Sequence, residues 1–206
     1  MTNQNPPLPE PCPLLIVLSG PSGAGKDAVL NRLKNSEYPL TYVTTATTRP
    51  KRSNEVNGRD YHFVTQAEFE TMVSEREFLE YASVYGNFYG VPRKPVKAAL
   101  ENGQDVIIKV DIQGAATIRK IAPEAVLLFL APPTTEEITS RLKQRQTESN
   151  IDLDLRLKTA VQEMAQLHQF DYLVFNYQDK IDRAVADIKA IITAEKCRTR
   201  PRHVTL

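Results

Sequence analysis

The chain has 206 residues, 41% hydrophobic and 25% charged, with 26 Lys+Arg against 25 Asp+Glu for a formal net charge of +1. That is enough for one domain with a sizeable core, which excludes wholesale disorder, and the near-neutral balance excludes a strongly basic nucleic-acid binder judged on bulk charge. No apolar run, residues 14–18 among them, comes near the ~20 residues a membrane helix needs. No charged n-region with an apolar core opens the chain, so the expectation is a cytoplasmic protein with neither membrane nor nucleic acid as partner. Cys12 and Cys197 sit near opposite ends, and His62, His168 and His203 are scattered. Neither set has the spacing of a disulfide framework or a metal site.

Residues 1–13 hold five prolines and read as an extended, poorly ordered tail. The apolar runs 14–18, 106–110, 126–130 and 172–175 read as buried strands. A helix near 26–34 follows the first, with Ala28, Val29, Leu30 and Leu33 on one side. Residues 45–97 break the alternation with turn signals at Arg49-Pro50, Asn57-Gly58 and Gly86-Asn87 and many aromatics, which suggests a small inserted module of short strands. Further helices are expected at 134–145, where Thr134 and Glu137 have capping-box spacing, and at 151–168 and 181–196. The end, 197–206, carries Arg198, Arg200 and Arg202 around a proline and is expected to be a solvated, frayed basic tail. Strand–helix alternation predicts an α/β fold of three layers, α/β/α, around a central parallel sheet. Its core would be 14–44 and 98–196, interrupted by the module at 45–97.

Gly20-Pro21-Ser22-Gly23-Ala24-Gly25-Lys26-Asp27 lies between the first strand and the first helix, the context a phosphate-binding P-loop requires. Glycines let backbone N–H groups turn inward around phosphate oxygens, the helix N-terminus adds partial positive charge, and Lys26 reaches the β- and γ-phosphates. ATP is the expected ligand, in a P-loop NTPase fold. Asp27 stands where a Ser or Thr hydroxyl normally meets Mg²⁺. A carboxylate is a hard oxygen ligand, so Asp27 is expected to help hold the metal, and to tolerate the polyphosphate only with Mg²⁺ present.

The run from Thr45 to Phe63 places Arg49 and Arg52 three apart, with Tyr61 beyond a turn. Arginine forks and a phenol are the donors that grip a terminal phosphate, although the spacing alone also suits a loop of surface ion pairs. Together with Thr47–Phe63, the stretches Phe78-Leu79-Glu80, Gly86-Asn87-Phe88-Tyr89-Gly90 and Asp111-Ile112-Gln113-Gly114 resemble the guanylate kinase family across roughly residues 14–196. The resemblance implies that Arg49, Arg52, Tyr61 and Tyr89 bind the phosphate of GMP, and that Thr45 and Glu80 read guanine. Two positions depart from the family pattern. Val91 stands where a Ser or Thr usually contacts the base, and Lys109 where an acid is usual. Strand alternation puts Lys109 on the same face as Asp111, so Lys109 either donates to guanine O6 or pairs with Asp111.

Arg141 and Arg145 are four apart on one helix face, and Arg156 opens the next helix. The resemblance implies that all three close over the ATP phosphates as a small lid at about 141–157, and that Asn176 lies beside adenosine. The implied reaction is ATP + GMP ⇌ ADP + GDP with Mg²⁺, a step of purine nucleotide recycling. It is carried by Lys26, Arg49, Arg141, Arg145 and Arg156, in a monomer or homodimer. A ribose 1,5-bisphosphate phosphokinase-like enzyme and a non-catalytic guanylate kinase-like binding module are the alternatives. The first lacks the full run Arg49…Arg52…Glu55…Gly58…Tyr61, and the second has a degraded P-loop.

Overall fold

The computed structural model describes residues 10–146 and 153–206. In chain order it forms β1 (Leu15–Ser19), α1 (Lys26–Lys34), β2 (Thr41–Tyr42), β3 (Ala46–Thr47), β4 (His62–Phe63), α2 (Gln66–Ser74), β5 (Phe78–Val84) and β6 (Asn87–Pro92). There follow α3 (Arg93–Glu101), β7 (Val106–Lys109), α4 (Ile112–Ile121), β8 (Val126–Ala131), α5 (Thr135–Gln146), α6 (Leu153–Met164), β9 (Tyr172–Phe175) and α7 (Ile181–Lys196). A 3-10 turn, Ala165–Gln169, extends α6 over the last residues of the helix expected at 151–168.

The main sheet is parallel throughout, in the order β2-β7-β1-β8-β9. β1 is central and every one of its residues is buried. Leu14, Ile16 and Leu18 pack with Val29, Leu33, Ala184 and Ile188 on one face, while Leu15 and Val17 meet Val96, Ala99 and Ile118 on the other. Each such side chain contributes roughly 1.5–3 kcal/mol by leaving water. Helices therefore cover both faces, as a parallel sheet demands.

A second sheet, ordered β4-β3-β6-β5, forms within residues 46–92. Its aromatics build a core of their own, with the Phe69 and Phe78 rings stacked at 4.5 Å and Phe88 against Phe69 at 5.4 Å. α2 was not foreseen, although Thr65 and Glu68 make its complete capping box. α3 runs across position 97, where the module was expected to end, and its Val96 and Ala99 belong to the main core.

Three expectations need correction. Ala28 is exposed, because only Val29 and Leu33 of α1 turn fully inward. β9 is an edge strand with only Val174 fully buried. Most of all, residues 198–206 are not frayed: Val204 and Leu206 pack on the core, and Arg202 grips the buried Glu195 with two bonds of 2.8 and 3.0 Å. Residues 1–9 of the expected tail lie outside the described residues. Among the described residues no helix is long and apolar enough to cross a membrane.

Candidate active site

β1 delivers the chain into the loop Gly20–Gly25. Gly20 has φ 140°, and a Cβ there would stand 2.0 Å from the Leu130 carbonyl oxygen. Gly25 caps α1 at φ 90°, where a Cβ would lie 2.4 Å from the Asn176 amide nitrogen. Only glycine meets both demands. The Lys26 ammonium donates to the carbonyls of Gly20 and Pro21, and burial lowers its pKa against the opposing pull of Glu163 and Asp27. The Ser22 N–H donates to Glu163 Oε2 at 3.1 Å. An anion thus already sits on one of the loop's donors. Glu163 was missed from the sequence, since nothing around one more acid on an amphipathic helix marks it.

Across the cleft, Glu55 gathers the module's cations. Its carboxylate accepts from Arg49 Nη2 at 2.7 Å and from the Arg52 backbone N–H at 2.9 Å, with Arg52 Nη1 3.8 Å away. The Arg49 guanidinium also lies 5.4 Å from the Tyr61 ring centre, and Tyr89 meets Tyr61 edge-on at 6.0 Å. Burial would raise the Glu55 pKa, but Arg49 and Arg52 hold it below the ordinary value. Glu55 belonged to the motif without a role, and its role is to fix both forks.

Glu80, on β5, is 5% exposed and lines the same cleft. Burial, reinforced by Asp111, raises its pKa to about 8, and its Oε2 has no hydrogen-bond partner. Asp111 caps α4 by accepting from Gly114 N–H at 2.7 Å. Gly114 lets Glu80 lie close against α4, since a Cβ there would come within 2.6 Å of Glu80 Oε2 and push the carboxyl aside. Thr45 is buried nearby, its hydroxyl 3.4 Å from the Lys109 carbonyl oxygen.

Lys109 does not pair with Asp111, one of the two roles expected for it. Its ammonium is ion-paired with Asp27 and donates to the Tyr61 hydroxyl at 2.7 Å, lying 3.9 Å from that ring's centre. Burial would lower its pKa, yet Asp27 and Tyr61 together hold it above the ordinary value.

A family model described as guanylate kinase matches residues 13–195. The chain belongs to the guanylate kinase family. Guanylate kinase 2, chloroplastic/mitochondrial, of Oryza sativa subsp. japonica is 42% identical over 99% of this chain and 72% of its own length. Guanylate kinase of Caldanaerobacter subterraneus subsp. tengcongensis is 45% identical over 90% of this chain and 89% of its own. The crystal structure of guanylate kinase from Anaplasma phagocytophilum superposes with a TM-score of 0.76 at 31% identity, covering 94% of this chain and 91% of that one.

Several positions assigned by guanylate kinase resemblance stand differently here. Val91 is fully buried with Leu79 and Val96, which makes it a core residue. Asn176 braces the loop: its amide donates to the Ala24 carbonyl at 2.8 Å, which commits that donor to protein instead of adenosine. Arg141 binds Glu137 at 3.0 Å and the Asn176 carbonyl at 2.7 Å, which holds it against the loop. Arg145 and Arg156 lie on α5 and α6, and their side chains are outside the described residues, as is the 147–152 stretch of the expected lid. Asp27, expected as a Mg²⁺ ligand, is instead the partner of Lys109.

Proposed function

We propose that this enzyme holds ATP on the Gly20–Asp27 loop and GMP between Glu80 and the Arg49/Arg52 pair, and moves the γ-phosphoryl group between them. The observation that carries this reading is one continuous cleft lined by residues 21–27, Arg49, Arg52, Tyr61, Glu80, Tyr89 and Asp111. Guanine presents N1–H and N2–H₂ side by side, and the Glu80 carboxyl, whose Oε2 has no hydrogen-bond partner, is the acceptor for them. Arg49, Arg52, Tyr61 and Tyr89 receive the GMP phosphate. Loop N–H groups and Lys26 receive the ATP phosphates, Glu163 and the Lys26–carbonyl bonds giving way as they arrive. Arg141, held beside the loop by Glu137 and the Asn176 carbonyl, is assigned with Arg145 and Arg156 to the same phosphates.

The attacking phosphate oxygen is already ionised, so no strong base is needed. Catalysis is positioning plus neutralisation of charge on the transferring group. The cations of the cleft rest on carboxylates: Lys109 on Asp27, Arg49 and Arg52 on Glu55, Arg141 on Glu137. Those contacts hold the donors in place before substrate arrives.

Magnesium does not fit as an ion held by the protein. The Asp27 carboxylate is bound by an ammonium, and among the described residues no three His, Cys, Asp or Glu side chains are grouped to hold a metal. The ion enters with the substrate, on the ATP phosphates, which suits its preference for phosphate oxygens and water.

A coupled ADP-release assay with Mg-ATP against GMP, dGMP, AMP, UMP and ribose 1,5-bisphosphate tests the reading. GMP should be turned over far faster than AMP or UMP. Turnover of the sugar bisphosphate without GMP turnover would refute it.

A further inference from the structure

The C-terminal end of β7 lies beside the end of β1, with Lys109 in register with Leu18, two residues before the phosphate loop opens. That placement puts the Lys109 side chain at the seam of the two substrate sites. Its partners come from opposite sides: Asp27 directly follows Lys26 at the start of α1, and Tyr61 belongs to the acceptor cluster with Arg49 and Tyr89. The side chain is 13% exposed and lines the cleft. An ammonium carries three donor hydrogens, and Asp27 and the Tyr61 hydroxyl account for two.

We propose that Lys109 is a catalytic residue of the transfer, a fixed cation that contacts the phosphate chain between the two nucleotides, with Asp27 and Tyr61 positioning it. This rests on reading the Gly20 loop as the donor site and the Arg49 cluster as the acceptor site. In the step itself, a GMP phosphate oxygen forms the new bond to the γ-phosphorus. The bond from that phosphorus to the β–γ bridging oxygen breaks, and its electron pair leaves on ADP. Lys109 neither gains nor loses a proton. It offsets charge on the transferring group, and its tether to Asp27 cancels the repulsion that a bare carboxylate beside Lys26 would exert on ATP. A purely structural ion pair would have no reason to join the donor loop to an acceptor-side phenol.

The test compares wild type, Lys109→Met, Lys109→Arg, Asp27→Asn and the double variant Asp27→Asn/Lys109→Met. Three quantities are read: kcat, the dissociation constant of GMP alone, and that of a bisubstrate analogue joining adenosine to guanosine through five phosphates, measured in EDTA. Lys109→Met should lose about 100-fold in kcat and at least tenfold in analogue affinity, with GMP affinity changed less than threefold. Lys109→Arg should recover most of both. The double variant removes both members of the Lys109–Asp27 pair, so it reports even if Lys109→Met folds poorly; it should show the same loss relative to Asp27→Asn. Analogue affinity and kcat within threefold of the parent in both comparisons would overturn the proposal. Failure of wild type to bind GMP would instead overturn the acceptor-site reading, and the proposal with it.

Discussion

Replacing Glu80 by Gln probes the centre of the acceptor site. Its carboxyl is held at about 8 by burial and by Asp111, against an ordinary 4.5. That displacement corresponds to on the order of 5 kcal/mol of penalty on the ionised, buried form. The group's folded value is raised, so the penalty grows as pH climbs from 4.5 to 8 and is complete above 8. Glu80→Gln removes it, and the variant should be more stable than wild type above pH 8, with the gap closing towards pH 4.5. Binding should move the opposite way. Guanine's paired donors need the ionised carboxylate, so GMP binding expels a proton below pH 8. A single group at about 8 makes the apparent GMP KM of wild type rise about eightfold from pH 8.5 to pH 7. Glu80→Gln should lose that slope and bind GMP about 30-fold more weakly at pH 8.5, the worth of a hydrogen bond to a charged group. Thermal unfolding and initial-rate kinetics on both proteins between pH 7 and 8.5 read out both effects. A flat wild-type KM, or an equal slope in the Gln variant, would refute the assignment of guanine recognition to Glu80.

Other substitutions follow the same geometry. Gly20→Ala drives a Cβ to 2.0 Å from a backbone oxygen at φ 140°, so it should cost about 3 kcal/mol or more and lower the melting temperature by about 10 °C. Glu55→Ala removes the carboxylate that anchors the Arg49 guanidinium and the Arg52 backbone, so more of their order must be supplied on binding; GMP KM should rise about tenfold with a smaller change in kcat. Arg202→Ala removes two charged bonds from the buried Glu195 carboxylate and leaves it the Tyr172 hydroxyl at 2.6 Å and Arg198 at 3.6 Å, so it should destabilise by about 1.5–3 kcal/mol in denaturant titrations while kcat/KM stays unchanged.

Much of the donor half was legible in the chain itself. A β-branched run, a glycine-rich octet and a helix in that order leave few conformations other than a phosphate loop, because glycine alone tolerates φ 140° and 90° at those two positions. The strands at 14–18, 106–110 and 126–130 were plain for a related reason: a parallel strand covered on both faces must be apolar along its length. α4 was hidden because Asp111-Ile-Gln-Gly read as a motif instead of as a helix start. α3 was hidden by the position assigned to the module's end.

Charge pairing was decided only by the tertiary structure. From spacing, Lys109 shared a face with Asp111 and was open to pairing with it or donating to guanine O6, whereas the fold brings it Asp27 from 82 positions away. Glu163 reaches Ser22 across 141 positions, and Arg202 is anchored to a Glu195 that is buried only once the chain end folds back. Local sequence fixes backbone conformation through sterics that act over a few residues. The partner of a buried charge depends on which distant segment arrives to replace its water, so the phosphate loop could be read from the chain and the cation beside it could not.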